Sequence, residues 1–238
     1  YIEIVKGTAV AVAGTGSAGT GGKDGSAATS FPLNGPNGIE VDANGDVYIA
    51  DTGNNRIVKL NVQAQTIKII STGGDIAAPY SLATDDKNIL FVSNIINNKI
   101  LQINLTNNSV GDLGITGLNQ PKGILLDNEL NLYIADTKNN LVRKRTNAGV
   151  ITTMASGLND PTTLAIDNRG DVFLTSSEGN QVQKITASIV TTFNPKSICI
   201  GGTTTLTVTT SLLSGSVTYN LTMINQVTGQ SIVPFPNQ

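Results

Sequence analysis

Residues 33–61 read LNGPNGIEVDANGDVYIADTGNNRIVKLN, and residues 118–146 read LNQPKGILLDNELNLYIADTKNNLVRKRT. The two stretches superpose without a gap, placing Pro36 on Pro121, Asp42 on Asp127, Tyr48 on Tyr133 and Asn55 on Asn140. Working outward, the same four columns return at Pro79, Asp85, Phe91 and Asn98, and again at Pro161, Asp167, Phe173 and Asn180, at spacings of 43, 42 and 40. Independent columns in one register establish a fourfold internal repeat.

Each unit holds four short β-branched or aromatic runs, in the first unit Ile39 to Val41, Val47 to Ala50, Ile57 to Leu60 and Ile67 to Ile70. Asn44-Gly45 between the first two runs suits a tight hairpin, because both residue types tolerate positive φ. Four antiparallel strands in roughly 40–45 residues are the pattern of a propeller blade, which buries its faces only by stacking on its neighbours. The expected fold is all-β, and charged residues at only 13% against 39% hydrophobic ones agree with many short strands and polar turns.

The two quoted stretches resemble NHL repeats almost throughout. VAGTGSAGTGGKDGSAATSFPLNGP, residues 12–36, also resembles the glycine-rich connection between blades in secreted members of that family. The resemblance implies a propeller over 1–194, with blades at about 33–74, 75–117, 118–157 and 158–194, and a connection at 15–32. Residues 1–14 align with the outer strand pair of a blade and are expected to form an outer half-blade. Ser81 and Thr163 stand where the family has glycine, and Asn94 and Ser176 where it has aspartate.

After Pro195 the columns stop. Residues 195–238 alternate as strands around Gly and Ser turns, and CIGGTTTLTV resembles the second-strand region of immunoglobulin-like modules, so a partial β-sandwich is expected there. The chain begins with Tyr1 and has no signal peptide, as in a processed chain or an internal piece.

The composition excludes much chemistry. There is no histidine, which removes His bases and His-ligated metals, and the single Cys199 allows no internal disulfide or Cys-cluster metal site. Net charge is −2, the sequence pI is near 5.1, and Arg143-Lys144-Arg145 is read as a solvated strand edge, so no nucleic-acid footprint is expected. No apolar run reaches the roughly 20 residues of a membrane span.

Asp42, Asp85, Asp127 and Asp167 recur in every unit and are read as turn-bonding structural residues rather than ligands, with Tyr48, Phe91, Tyr133 and Phe173 as a structural aromatic column. No metal site and no cofactor is expected. Departures from the repeat are the binding candidates: Ile95 and Ile96 in an otherwise polar turn, and Asn37, Tyr80 and Lys122 just after the repeat prolines. Asn104, Asn107 and Asn220 stand in sequons for N-glycosylation.

The resemblance implies an extracellular or cell-surface scaffold or adhesion protein, not an enzyme. Its loops would meet a protein, a glycan or another copy, with strand edges at 1–14 and 196–238 as the route to self-association and a filament. The alternative is a metal-dependent propeller enzyme similar to gluconolactonases; propellers similar to streptogramin lyases depend on histidines that are absent here.

Overall fold

The computed structural model describes residues 9–72, 74–185, 223–224 and 231–232. The chain divides into two compact units, Tyr1–Thr186 and Ala187–Gln238. In the first unit the repeat becomes successive antiparallel sheets. Blade 1 comprises β1 (Ser26–Ala27), β2 (Ile39–Val41), β3 (Val47–Asp51), β4 (Arg56–Asn61) and β5 (Thr66–Thr72), in the order β1-β5-β4-β3-β2. Blade 2 is β6 (Pro79–Thr84), β7 (Ile89–Asn94), β8 (Lys99–Asn104) and β9 (Val110–Asp112). Blade 3 is β10 (Pro121–Leu126), β11 (Leu132–Asp136), β12 (Leu141–Arg145) and β13 (Ile151–Ala155). Blade 4 shows β14 (Pro161–Ile166), β15 (Val172–Ser176) and β16 (Gln181–Ile185).

The first hairpin of each blade is held by the aspartate column. Asp42 accepts from the N–H of Asn44 and Asp46 at 2.9 and 3.0 Å, Asp85 from Lys87 and Ile89 at 2.9 Å each, Asp127 from Glu129 and Asn131 at 3.0 and 2.8 Å, and Asp167 from Arg169 and Asp171 at 2.9 Å each. A carboxylate facing a tight turn satisfies donors that the ladder cannot reach. The aromatic column occupies the second position of the next strand in blades 1, 3 and 4 and the third in blade 2: Tyr48 and Tyr133 are buried, Phe91 and Phe173 half-buried. Lysines on the paired strand lie over three of these rings, Lys59 on Tyr48 at 5.0 Å, Lys144 on Tyr133 at 4.9 Å and Lys184 on Phe173 at 5.5 Å.

The core lies between blades, as a layer for each junction. Tyr48, Ala50 and Ile57 of blade 1 pack on Leu82, Leu90, Val92 and Leu101 of blade 2. Ala83 and Ile100 pack on Ile124, Leu132 and Ile134, and Tyr133, Ala135 and Val142 on Leu164, Val172 and Leu174. The inner strands approach closely enough to demand glycine. A Cβ at Gly38 would lie 2.2 Å from the Tyr80 carbonyl oxygen, and one at Gly123 would lie 2.5 Å from that of Thr162. Ser81 departs from glycine at this position and bonds across the junction instead, its Oγ accepting from Ile124 N–H at 3.3 Å.

A backbone bond completes each junction. Asn55, Asn98 and Asn140 are left-handed, at φ 50°, 54° and 57°, and their Oδ1 atoms accept from the N–H of Ala78, Gln120 and Asp160 at 2.7, 2.7 and 2.9 Å. Those three acceptor-bound residues are themselves left-handed at φ 49°, 48° and 58°, immediately before Pro79, Pro121 and Pro161.

The glycine-rich connection is an ordered part of blade 1. Phe31 and Ala28 are buried against Ile49, Val58 and Leu60, and Arg56 lies 4.5 Å over the Phe31 ring while donating to the Gly21 and Pro32 carbonyls. β1, within this connection, pairs with β5 and adds a fifth strand that the repeat does not foretell. The expected half-blade at 1–14 is corrected where it is described: residues 9–14 contain no strand. Residues 1–8, Cys199, Asn220 and nearly all of 195–238 lie outside the described residues; β17 (Met223–Ile224) and β18 (Ser231–Ile232) form an antiparallel pair.

Gly123→Val sets a side chain against the backbone of β14 and is expected to destabilise the protein by about 1–3 kcal/mol, measured as a lowered urea midpoint with an unchanged slope.

Candidate functional site

Antiparallel alternation sends the turns of a blade to two opposite ends. The first and third turns fall at one end, and the second turn falls at the other with the entry to the innermost strand. Gly38 lies against Tyr80, and two residues on Glu40 accepts from Thr84 N–H, so the innermost strands of blades 1 and 2 run side by side in the same direction; Gly123 against Thr162 repeats the approach between blades 3 and 4. The entries, with Asn37, Tyr80 and Lys122, therefore share one loop face with the second turns that carry Ile95, Ile96 and Lys138.

On this face Asn37 is exposed and donates through Nδ2 to Thr52 Oγ1 at 2.9 Å, while that hydroxyl donates to the Pro79 carbonyl at 2.7 Å, linking blade 1 to blade 2. Thr137 repeats the second bond to Pro161 at 2.8 Å. Ile95 occupies the corresponding place in blade 2 and has no hydroxyl; the Ser93 hydroxyl donates to the Lys122 carbonyl instead. Ile95 is half-buried and Ile96 stands 67% exposed. Tyr80 is half-buried two residues past Ala78, whose carbonyl accepts from Ile95 N–H at 3.3 Å.

Lys122 belongs to an ionic cluster that the sequence reading missed. Asp160 Oδ1 lies 2.7 Å from Lys138 Nζ, and Oδ2 lies 2.7 Å from the Ser177 hydroxyl and 3.4 Å from Lys122 Nζ. Lys138 also reaches Glu178 Oε1 at 3.4 Å. Burial by itself would raise the Asp160 carboxyl, but the bonds from Lys138 and Ser177 and the Lys122 charge outweigh it and hold the group below its ordinary value. The available signal was a column: Asp160 precedes its proline where other blades have Gly35, Ala78 and Gln120.

The opposite end has a polar groove of about 410 Å3 lined by Glu40, Thr84, Asp85, Asp86, Asp127 and Asn128 among others. Three of its carboxylates are already engaged: Asp85 and Asp127 hold turn backbone, and Glu40 accepts from Thr84 N–H at 3.1 Å, with burial raising its carboxyl. Among the described residues no group of three or more Asp, Glu or Cys is placed to hold a metal. The third turn of blade 2, at this same end, carries the two described sequons. Asn104 is half-buried and accepts from Thr106 N–H at 2.9 Å, whereas Asn107 is exposed. No helix among the described residues is long and apolar enough to cross a membrane.

Comparison with known proteins places this geometry. The NHL repeat family matches residues 33–60. A catalytically inactive virginiamycin B lyase from Staphylococcus aureus with quinupristin is similar at TM-score 0.58 and 21% identity, over 66% of this chain and 55% of that one. A streptogramin B lyase is similar at 0.55 and 20%, over 69% and 61%. The nidogen/laminin complex matches at 0.54 and 18%, over 66% of each chain. The chain thus spans little more than half the length of the virginiamycin B lyase it matches. The fold is a β-propeller, and blade 1 carries a recognisable NHL repeat. The expectation that the chain is not an enzyme is corrected: the solved propellers of similar fold include virginiamycin B and streptogramin B lyases, so the architecture does not exclude catalysis.

The Asp160 cluster has a pH signature. A depressed carboxyl stabilises the fold above its unfolded value near 3.8 and ceases to do so as pH falls through the lower folded value. Asp160→Asn is therefore expected to lower the thermal midpoint at pH 6, with the gap to the parent closing toward pH 2.5. A gap that stays constant would show that the charge of Asp160 plays no part.

Proposed function

We propose that the chain is an extracellular propeller that holds a partner protein on the loop face carrying Asn37, Tyr80, Ile96 and Lys122. The observation that carries this reading is Ile96, a large apolar side chain 67% exposed on a face whose other turns are polar. Near the same face Tyr80 supplies a rigid amphipathic ring, the kind of anchor that dominates binding energy, and Lys122 with the Asp160 cluster supplies a charged edge. Backbone bonds from Ile95 N–H to the Ala78 carbonyl and from Asn98 N–H to the Ile95 carbonyl hold the turn beneath Ile96, so little backbone ordering entropy opposes binding. The nidogen/laminin complex supports the reading as a propeller of similar fold described with a protein partner. Exposed Asn107, at the opposite end, is a proposed glycan site that would leave the loop face free.

A surface-binding panel of purified matrix proteins and glycans, laminin included, tests it. The parent is expected to bind a member of the panel, and Ile96→Asp, Tyr80→Ala or Lys122→Glu to weaken that binding at least about tenfold, with the thermal midpoint unchanged in Ile96→Asp, whose side chain is exposed. Equal binding by all three variants, or no binding by the parent, overturns the proposal.

A further inference from the structure

The repeat supplies its own control for which surfaces need a neighbour. Ile39 corresponds to Leu82, Ile124 and Leu164, which are 4%, 5% and 9% exposed beneath the preceding blade, yet Ile39 is 67% exposed. Val41 on the same strand is 53% exposed, and Pro36 is exposed where Pro79, Pro121 and Pro161 are buried. Residues 13–33 cover the outer strands of this face through Phe31 and Ala28, so the bare part is the seam along β2.

Blade 4 is bare on its opposite side. Ile57, Ile100 and Val142 are fully buried under the following blade, and their counterpart Val182 is 74% exposed, with Thr163, Ala165 and Thr175 exposed beside it. This seam retains junction chemistry. Thr163 N–H donates to Thr175 Oγ1 at 3.1 Å, as Ser81 N–H donates to Ser93 Oγ at 2.9 Å, and the hydroxyls of Ser81 and Ser93 are those that hold blade 3. Asn180 is left-handed at φ 50° like the three asparagines that accept from the next blade, and Gly35 stands at φ 52° where Ala78, Gln120 and Asp160 donate. Among the described residues neither Asn180 Oδ1 nor Gly35 N–H has a partner.

We propose that these two seams pair between copies of the chain, the β2 edge of one copy seating on the blade 4 face of the next. The occupant follows from complementarity, because the two seams are the two halves of a junction the chain already makes between its own blades. Asn180 Oδ1 accepts from Gly35 N–H of the other copy, and Val182 is buried with Ile39 and Val41. A second pairing of the same kind closes the ring. This interface is separate from the loop face, and neither proposal depends on the other.

Sedimentation of the 238-residue chain at tens of micromolar is expected to give twice the mass of one chain. Ile39→Asp and Val182→Asp each raise the dissociation constant at least about tenfold, with unchanged circular dichroism because both side chains are exposed in the single chain. Asn180→Ala weakens it in the same direction. An equimolar mixture of Ile39→Asp and Val182→Asp regains association through its one intact pair of seams, which a face-to-face symmetric contact would not allow. A single-chain mass for the parent overturns the proposal, and so do variants that associate as the parent does.

Discussion

Everything in the propeller unit rests on the junction where one blade hands the chain to the next. A four-stranded sheet with two apolar faces is unstable alone, and stacking removes both faces from water only if the inner strands come close. Close approach needs missing Cβ atoms at Gly38 and Gly123, or a side chain such as Ser81 that bonds across the gap. It also needs the chain to turn sharply into the inner strand, which Ala78, Gln120 and Asp160 do in a left-handed conformation disfavoured for non-glycine residues and disfavoured again before proline. Strain of that kind costs about 1–3 kcal/mol each and persists where neighbours over-determine it. The asparagine Oδ1 of the preceding blade is that determinant, so the Asn and Pro columns are two sides of one interaction.

This explains how much was legible beforehand. The columns were visible because each blade repeats the same junction, and a repeated physical demand leaves a repeated residue. The groups that differ from blade to blade were not. Asp51 and Asp136 are both buried and both receive a guanidinium Nε at 2.7 Å, but from Arg56 in one blade and Arg143 in the other, which is two positions further along its strand. Because side chains on a strand return to the same face every second residue, the ion pair survives a shift that destroys the column. β1 was unreadable for a different reason: two residues, Ser26 and Ala27, carry no periodic signal and are placed by Phe31 packing and Arg56 donation.

The loop-face candidates were found by departure from the repeat, and here the structure divides them. Asn37 spends its amide on Thr52 and belongs partly to the junction, while Ile96 has no structural duty visible among the described residues. Lys122 was singled out alone but acts with Lys138, Ser177 and Asp160, a group assembled from blades 3 and 4 that no local reading of sequence brings together.

Blade 2 shows why such departures are tolerated. Replacing the junction hydroxyl of Thr52 or Thr137 by Ile95 would leave the next proline-strand carbonyl short of a donor, yet Ser93 on the neighbouring strand reaches the following carbonyl from beneath. Position 95 is thereby released from holding blade 3, a task left to Asn98 at the end of the turn, and the side chains of Ile95 and Ile96 are free to be selected for something else. The same freedom bears on catalysis. Because the blades satisfy their own backbone and bury their own core, the loop face carries whatever chemistry its side chains provide, and a shared fold with lyases and with nidogen leaves the function to the site.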